Sequence, residues 1–226
     1  MRTKSPRTIA GIMLTSLALL LSIPVVDYAV SPQGDWLHPL GFRAWASVPR
    51  AGWALAVTVG VVFAAFTIRG IHAVRSTWRE FSSLKLVSLW AAAGAAVVEE
   101  ALFRRLIMDG VADAGGNLLL QVLASALGFG AAHAIWGLIK LDLRVAVSSV
   151  AATTVMGVGL ALVYLAADRN LAPCIVAHFI ITGAIEPGLM IAAVTGQWDR
   201  VRPLKTRAVR DGAAFYVDGC VKRPSF

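Results

Sequence analysis

Six stretches of this chain are too apolar to sit in water and long enough to cross a bilayer. Spanning hydrocarbon about 30 Å thick as a helix takes roughly 20 apolar residues. Thr8–Val26 and Ala51–Ile68 carry no charge over 19 and 18 residues. Leu86–Val98 is also uncharged and continues through EEALFRRLIM to Met108. Asn117–Ile139 and Val145–Ala167 run 23 residues each, the first with one histidine, His133. Leu171–Trp198 runs 28 residues and contains His178 and Glu186. Backbone groups in lipid must find their hydrogen bonds inside the segment, so the expected fold is all-α, a polytopic bundle of about six spanning helices. Arg2, Lys4 and Arg7 ahead of the first stretch also resemble the start of a secretory signal peptide. The length of that stretch and the five spans after it favour a retained helix.

Composition closes the other routes. Of 226 residues 58% are hydrophobic and 15% charged, where a soluble domain carries about 25% charged residues. A soluble globule and a disordered chain are both excluded on that ground. The formal net charge of +8 reads as membrane topology and proximity to anionic lipid rather than as a nucleic-acid partner. With the N-terminus in the cytoplasm, most of the 21 basic residues fall on the inner side. Arg43, Arg50, Arg104, Arg105 and Arg169 are left to the outer half, so both termini are expected inside. Trp53, Trp136 and Trp198 fall near helix ends, where interfacial anchors belong. Cys174 and Cys220 form no metal-binding or redox spacing. The expected organisation is a two-helix membrane region with an external loop over 1–83, a helix bundle bearing the site over 84–198, and a basic cytoplasmic tail over 199–226.

Ionisable groups at membrane depth are costly, and each is a functional-site hypothesis by default. The candidates are Glu99, Glu100, Arg104, His133, His178 and Glu186. Adjacent residues on a helix point about 100° apart, so Glu99 and Glu100 cannot do the same work. Glu100 and Arg104, spaced i, i+4, share a face as an ion pair. The duller alternative is a helix end at which Arg104, Arg105 and Asp109 snorkel to the headgroups. Glu99 fits that alternative poorly, because it lies 14 residues beyond Lys85, about 21 Å along a helix. His178, eight residues past Asn170, falls at a matching depth. His133 follows Phe129 by one turn among Gly128, Gly130 and Gly137, and Thr182 follows His178 by one turn. Alone, each histidine reads as an interhelical hydrogen bond; beside a buried carboxylate pair, they read as the groups that activate water. Glu186 precedes Pro187 and Gly188, which are expected to break the last helix, and it is placed outside the core site.

EEALFR (Glu99, Glu100, Arg104), FGAAH (Phe129, His133) and HFIIT (His178, Thr182) together resemble the three motifs of the CPBP family, the CAAX protease and bacteriocin-processing group. The resemblance covers roughly Leu84–Ile185. It implies an intramembrane endopeptidase of glutamic type acting on a membrane-anchored protein or peptide. Under that resemblance Glu99 is the general base, working with His133 on a water molecule. Glu100 is a supporting residue fixed by Arg104, and His178 helps stabilise the oxyanion. The family often has Asn four residues after the last histidine, where this chain has Thr182, whose hydroxyl is shorter and differently directed.

Two other readings stay open at this level. Glu99 or Glu100 with His133 and His178 supplies the ligand types of a zinc protease, so the expectation of no cofactor has zinc as its alternative. No H-E-x-x-H helix is present. A non-catalytic membrane protein, such as an immunity or partner-binding factor, also accommodates buried Glu and His. The charge bias and the family habit point to a bacterial inner membrane, crossed several times.

Overall fold

The computed structural model describes residues 5–30, 40, 42–140 and 142–198. The expected basic tail, Cys220 and most of the loop between the first two helices lie outside the described residues. The elements are α1 (Pro6–Val30), a 3-10 turn (Phe42–Ser47), α2 (Arg50–Gly70), α3 (His72–Thr77) and α4 (Ser83–Glu100). A π-helical segment (Ala101–Met108), α5 (Asp109–Asp113), α6 (Leu118–Ala132), α7 (Ile135–Lys140), α8 (Leu143–Ala166) and α9 (Leu171–Thr195) follow. Six of the resulting helical stretches are long and apolar enough to cross a membrane, including one continuous run over Ser83–Asp113. Among the described residues there is no strand. The protein is an all-α, multi-pass membrane protein, as the apolar runs predict.

In lipid, apolarity does not choose the inward face, because both sides of the helix meet hydrocarbon-like surroundings. Leu20, Val62, Phe66, Leu106, Leu119 and Val155 all point outward. The seams are chosen by small residues instead. On α2 the buried residues Gly52, Ala56, Gly60 and Ala64 recur every fourth position, the small-xxx-small spacing that lets backbones approach. A Cβ on Gly52 would stand 2.9 Å from the Ala167 Cα, and one on Gly157 of α8 would stand 3.0 Å from the Ala126 Cα of α6. α9 is the most buried of the spans and packs against α1, α2, α3, α4 and α8. Helix starts are capped locally: Ser82, Asn117, Asp142 and Asn170 each accept a backbone N–H from the first turn that follows.

Three local features depart from the sequence expectations. The stretch expected as one helix over Asn117–Ile139 breaks at His133, which caps α6, and the chain turns before α7 begins. Ser149 donates its hydroxyl to the carbonyl of His133 at 3.3 Å, which also accepts the Trp136 N–H at 3.2 Å, so the turn is bonded from α8. The run after Glu100 widens into a π-helix rather than continuing as α, a distortion found often at functional sites. Pro187, expected to end the last helix, lies inside α9, which continues to Thr195.

Candidate active site

The end of α4 carries two carboxylates into the bundle in the two directions that their adjacency dictates. Glu100 points inward and is fully buried. Its Oε2 stands 3.0 Å from Arg104 Nε, a charge contact rather than an aligned hydrogen bond. Arg104 is equally buried and donates from Nη2 to the carbonyl of Gly157 on α8 at 3.2 Å. Arg104 is therefore an internal counter-ion and not a snorkelling helix end. Asp109 is not free at a helix end either: its carboxylate accepts from Arg169 and, at 2.8 Å, from the Tyr164 hydroxyl. Arg169 also donates to Gln121 at 2.6 Å, which ties the α8–α9 turn to α6.

Glu99 turns to the other side and meets both histidines. Its Oε2 is 3.9 Å from His133 Nε2 and 3.9 Å from His178 Nε2. Those distances are too long for direct hydrogen bonds, and Glu99 Oε2 has no hydrogen-bond partner among the protein atoms. Each imidazole is oriented through its other nitrogen. His133 Nδ1 is 2.8 Å from the carbonyl of Phe129. A carbonyl can only accept, so Nδ1 carries a proton and neutral His133 presents a lone pair at Nε2. His178 Nδ1 is 2.7 Å from Glu100 Oε1, a charge-assisted contact that steers Nε2 toward Glu99.

Phe129 lies at the centre of these contacts. Its ring stacks on His133 with centroids 4.6 Å apart and meets His178 edge-on at 5.7 Å. Arg104 lies over the same ring at 5.0 Å, and Phe103 packs edge-on at 5.2 Å. The exposure of the Glu99 and His133 side chains, 24% and 21%, against 3% for His178 opens the cluster on the Glu99–His133 side.

The structure thus brings together Glu99, Glu100, Arg104, His133 and His178 from three separate spans. Thr182 sits one turn after His178, half-buried, and among the described residues no hydrogen bond joins it to the cluster. Glu186, placed outside the site by the sequence reading, is buried on α9 and lies within electrostatic reach of Glu99 and His178. The signal that finds it is the continuation of the helix through Pro187. Two imidazole nitrogens converging on a carboxylate are of zinc-ligand type. However, among the described residues no three His, Cys, Asp or Glu side chains are grouped so that they could hold a metal ion.

A bundle of apolar helices with a glutamate and two oriented histidines held inside it defines a polytopic membrane protein with a buried centre of carboxylates and imidazoles. Residues 81–184, which contain every member of that centre, match the family described as type II CAAX prenyl endopeptidase Rce1-like. The CPBP resemblance read from the three motifs is borne out over this stretch, which is similar to a family of CAAX-type membrane peptidases. No curated protein matches the chain, and no solved structure does.

Proposed function

We propose that this protein is an intramembrane endopeptidase in which Glu99 activates the attacking water. The observation that carries the reading is the convergence of Glu99 Oε2 with the Nε2 atoms of His133 and His178 at 3.9 Å each. A water between Glu99 and His133 meets two acceptors, a carboxylate oxygen and a lone pair fixed by the Phe129 carbonyl. It donates one hydrogen to each and turns its own lone pair toward a peptide carbonyl. Glu99 takes a proton as the water attacks and later passes it to the leaving amine, so the carboxylate is regenerated in each cycle. His178, as an imidazolium, donates Nδ1–H to Glu100 and Nε2–H to the developing oxyanion. Glu100 and Arg104 touch no substrate in this scheme; they hold His178 in place. Thr182 supplies a further hydroxyl donor near the oxyanion.

The substrate is a membrane-anchored protein or peptide, processed in the manner of a CAAX tail, a sorting signal or a leader. The bias of Lys and Arg supports a reading with both termini in the cytoplasm, and together with the family resemblance it supports a bacterial inner membrane. The mechanism uses no metal, and zinc carried by the same Glu and His side chains is the alternative.

Glu99→Gln keeps the shape of the side chain and removes the base. Cleavage falls about 10²–10⁴-fold while insertion and Tm in detergent stay as in the wild type. A comparison of membrane proteomes with and without this variant then shows an accumulating precursor. Full processing in Glu99→Gln cells sinks the mechanism. Stoichiometric zinc in purified protein, with turnover lost to a chelator and restored by the metal, replaces it with the metalloprotease.

A further inference from the structure

Lys85 donates an unusual pair of hydrogen bonds. It lies in the first turn of α4, at the other end of that helix from the glutamates, and is half-buried. Its ammonium group donates to the carbonyl of Gly183 on α9 and, at 3.3 Å, to the carbonyl of Ala184. These acceptors lie mid-helix, where carbonyls are ordinarily taken by the N–H four residues on. For Gly183 that residue is Pro187. Proline has no N–H, and its ring crowds the carbonyl four residues back, so an interior proline strands one carbonyl and pushes it outward. The stranded carbonyl is that of Gly183, the one that Lys85 reaches.

The surroundings fit a missing backbone hydrogen bond that is gripped from outside the helix. A Cβ on Gly183 would stand 3.1 Å from the Leu89 side chain of α4, so the glycine lets α4 close on α9 here. A Cβ on Gly188 would stand 2.3 Å from the Val74 Cα, so α3 packs its backbone directly against the far side of the proline. The same two helices, α4 and α9, are joined deeper in the bundle by the Glu100–His178 contact. They are therefore held at two points, one in the site and one at the proline. Pro187 and the Glu186 beside it lie past residue 184, beyond the stretch that matches the family.

We propose that Lys85 is a positioning residue: its ammonium replaces the backbone donor that Pro187 lacks, and this grip on α9 at the proline fixes His178 against Glu99. The proposal rests on the endopeptidase reading only for its effect on turnover. Its effect on stability stands apart.

The test is a double-mutant cycle on the full chain in nanodiscs, using Lys85→Met, Pro187→Ala and the double variant. Thermal unfolding is one readout. The second is Glu99-dependent cleavage of a prenylated peptide with a CAAX tail, or of the precursor found with Glu99→Gln. Lys85→Met lowers Tm by about 5 °C, the loss expected when a charged hydrogen bond is removed from a chain of this size. It lowers kcat about tenfold with KM little changed, because the chemistry is misplaced rather than the substrate lost. Lys85→Arg, which keeps a cationic donor, recovers most of both. In the Pro187→Ala background the residue at 187 again carries an N–H, so adding Lys85→Met costs less than a third of its original effect. Pro187→Leu supplies the same N–H if the alanine variant does not accumulate. Equal losses with and without Pro187 overturn the proposal, as does a Lys85→Met protein with wild-type Tm. A Tm cycle that couples while no peptide is cleaved supports the grip and counts against the endopeptidase.

Discussion

At the scale of single residues, the unusual feature is Arg104, a fully buried guanidinium in a helix that faces lipid on its other side. It is tolerated because its charge meets Glu100 at 3.0 Å and its Nη2 meets the Gly157 carbonyl. Removing Arg104 leaves Glu100 with only His178 against it, and breaking a buried pair costs about 3–5 kcal/mol. Arg104→Met is thus expected to lower Tm by about 10 °C or more, with activity lost as His178 loses the anchor that Glu100 provides. Adding Glu100→Gln removes the stranded charge and restores part of the Tm but none of the activity. A Tm unchanged in Arg104→Met shows that the pair does not hold the fold. Glu186 differs: it is buried, in no ion-pair contact among the described residues, and within electrostatic reach of both Glu99 and His178. Glu186→Gln removes a buried carboxylate that no ion pair among the described residues compensates, so Tm rises or stays level. Turnover falls far less than with Glu99→Gln. A Tm loss comparable to that of Arg104→Met points to a structural partner for Glu186. The pairing of Glu100 with Arg104 is legible from i, i+4 spacing alone. The burial of Glu186 is not, because it depends on whether the helix survives Pro187, and the donor that bonds the stranded carbonyl comes from a lysine 98 residues earlier.

Elements tell the same story of local rules and distant overrides. Continuous apolar runs locate the spans to within a few residues, because hydropathy is the solvent's own requirement. The breaks within them are harder to read. Gly128, Gly130 and Gly137 look like ordinary packing glycines in a membrane helix, yet the chain between them turns at His133. That turn lets the Phe129 carbonyl, one turn back, orient the imidazole. Nothing in ALFRRLIM announces a π-helix; its wider turn shifts Phe103 and Arg104 onto the ring of Phe129. The α6–α8 seam sets where α6 can lie. A Cβ on Gly130 would meet Thr154 Oγ1 at 2.0 Å and the Val150 carbonyl at 2.9 Å. The hydroxyl rotates away, but the backbone carbonyl does not. Gly130→Ala forces the two helices apart, at about 1–3 kcal/mol for overpacking, or a Tm lower by about 3–10 °C. Because α6 ends in His133, cleavage falls as well. Thermal scans with a cleavage assay on the same preparation check both. Wild-type values in both mean that the seam is slack.

For the whole molecule the question is where a small number of charges go. Only 15% of residues are charged, and the fold divides them by cost. Arg7 pairs with Glu80 across the exposed start of the bundle, where such a bridge contributes little. Asp109, Arg169 and Gln121 join α5, α6 and the α8–α9 turn at the opposite end. Between these two polar ends lie Glu99, Glu100, Arg104, His133, His178 and Glu186, in the depth where lipid gives a charge no help. The polar ends thereby become a measurable axis for the site. The charge bias predicts that the Arg75 end faces the cytoplasm and the Asp113 end faces outward. Both side chains are exposed, and the native Cys174 is buried. In a Cys220→Ser background, a membrane-impermeant maleimide added to intact cells is expected to label Asp113→Cys and to spare Arg75→Cys. Permeabilised cells label both. The reverse pattern inverts the protein in the membrane and overturns the orientation read from the charge bias.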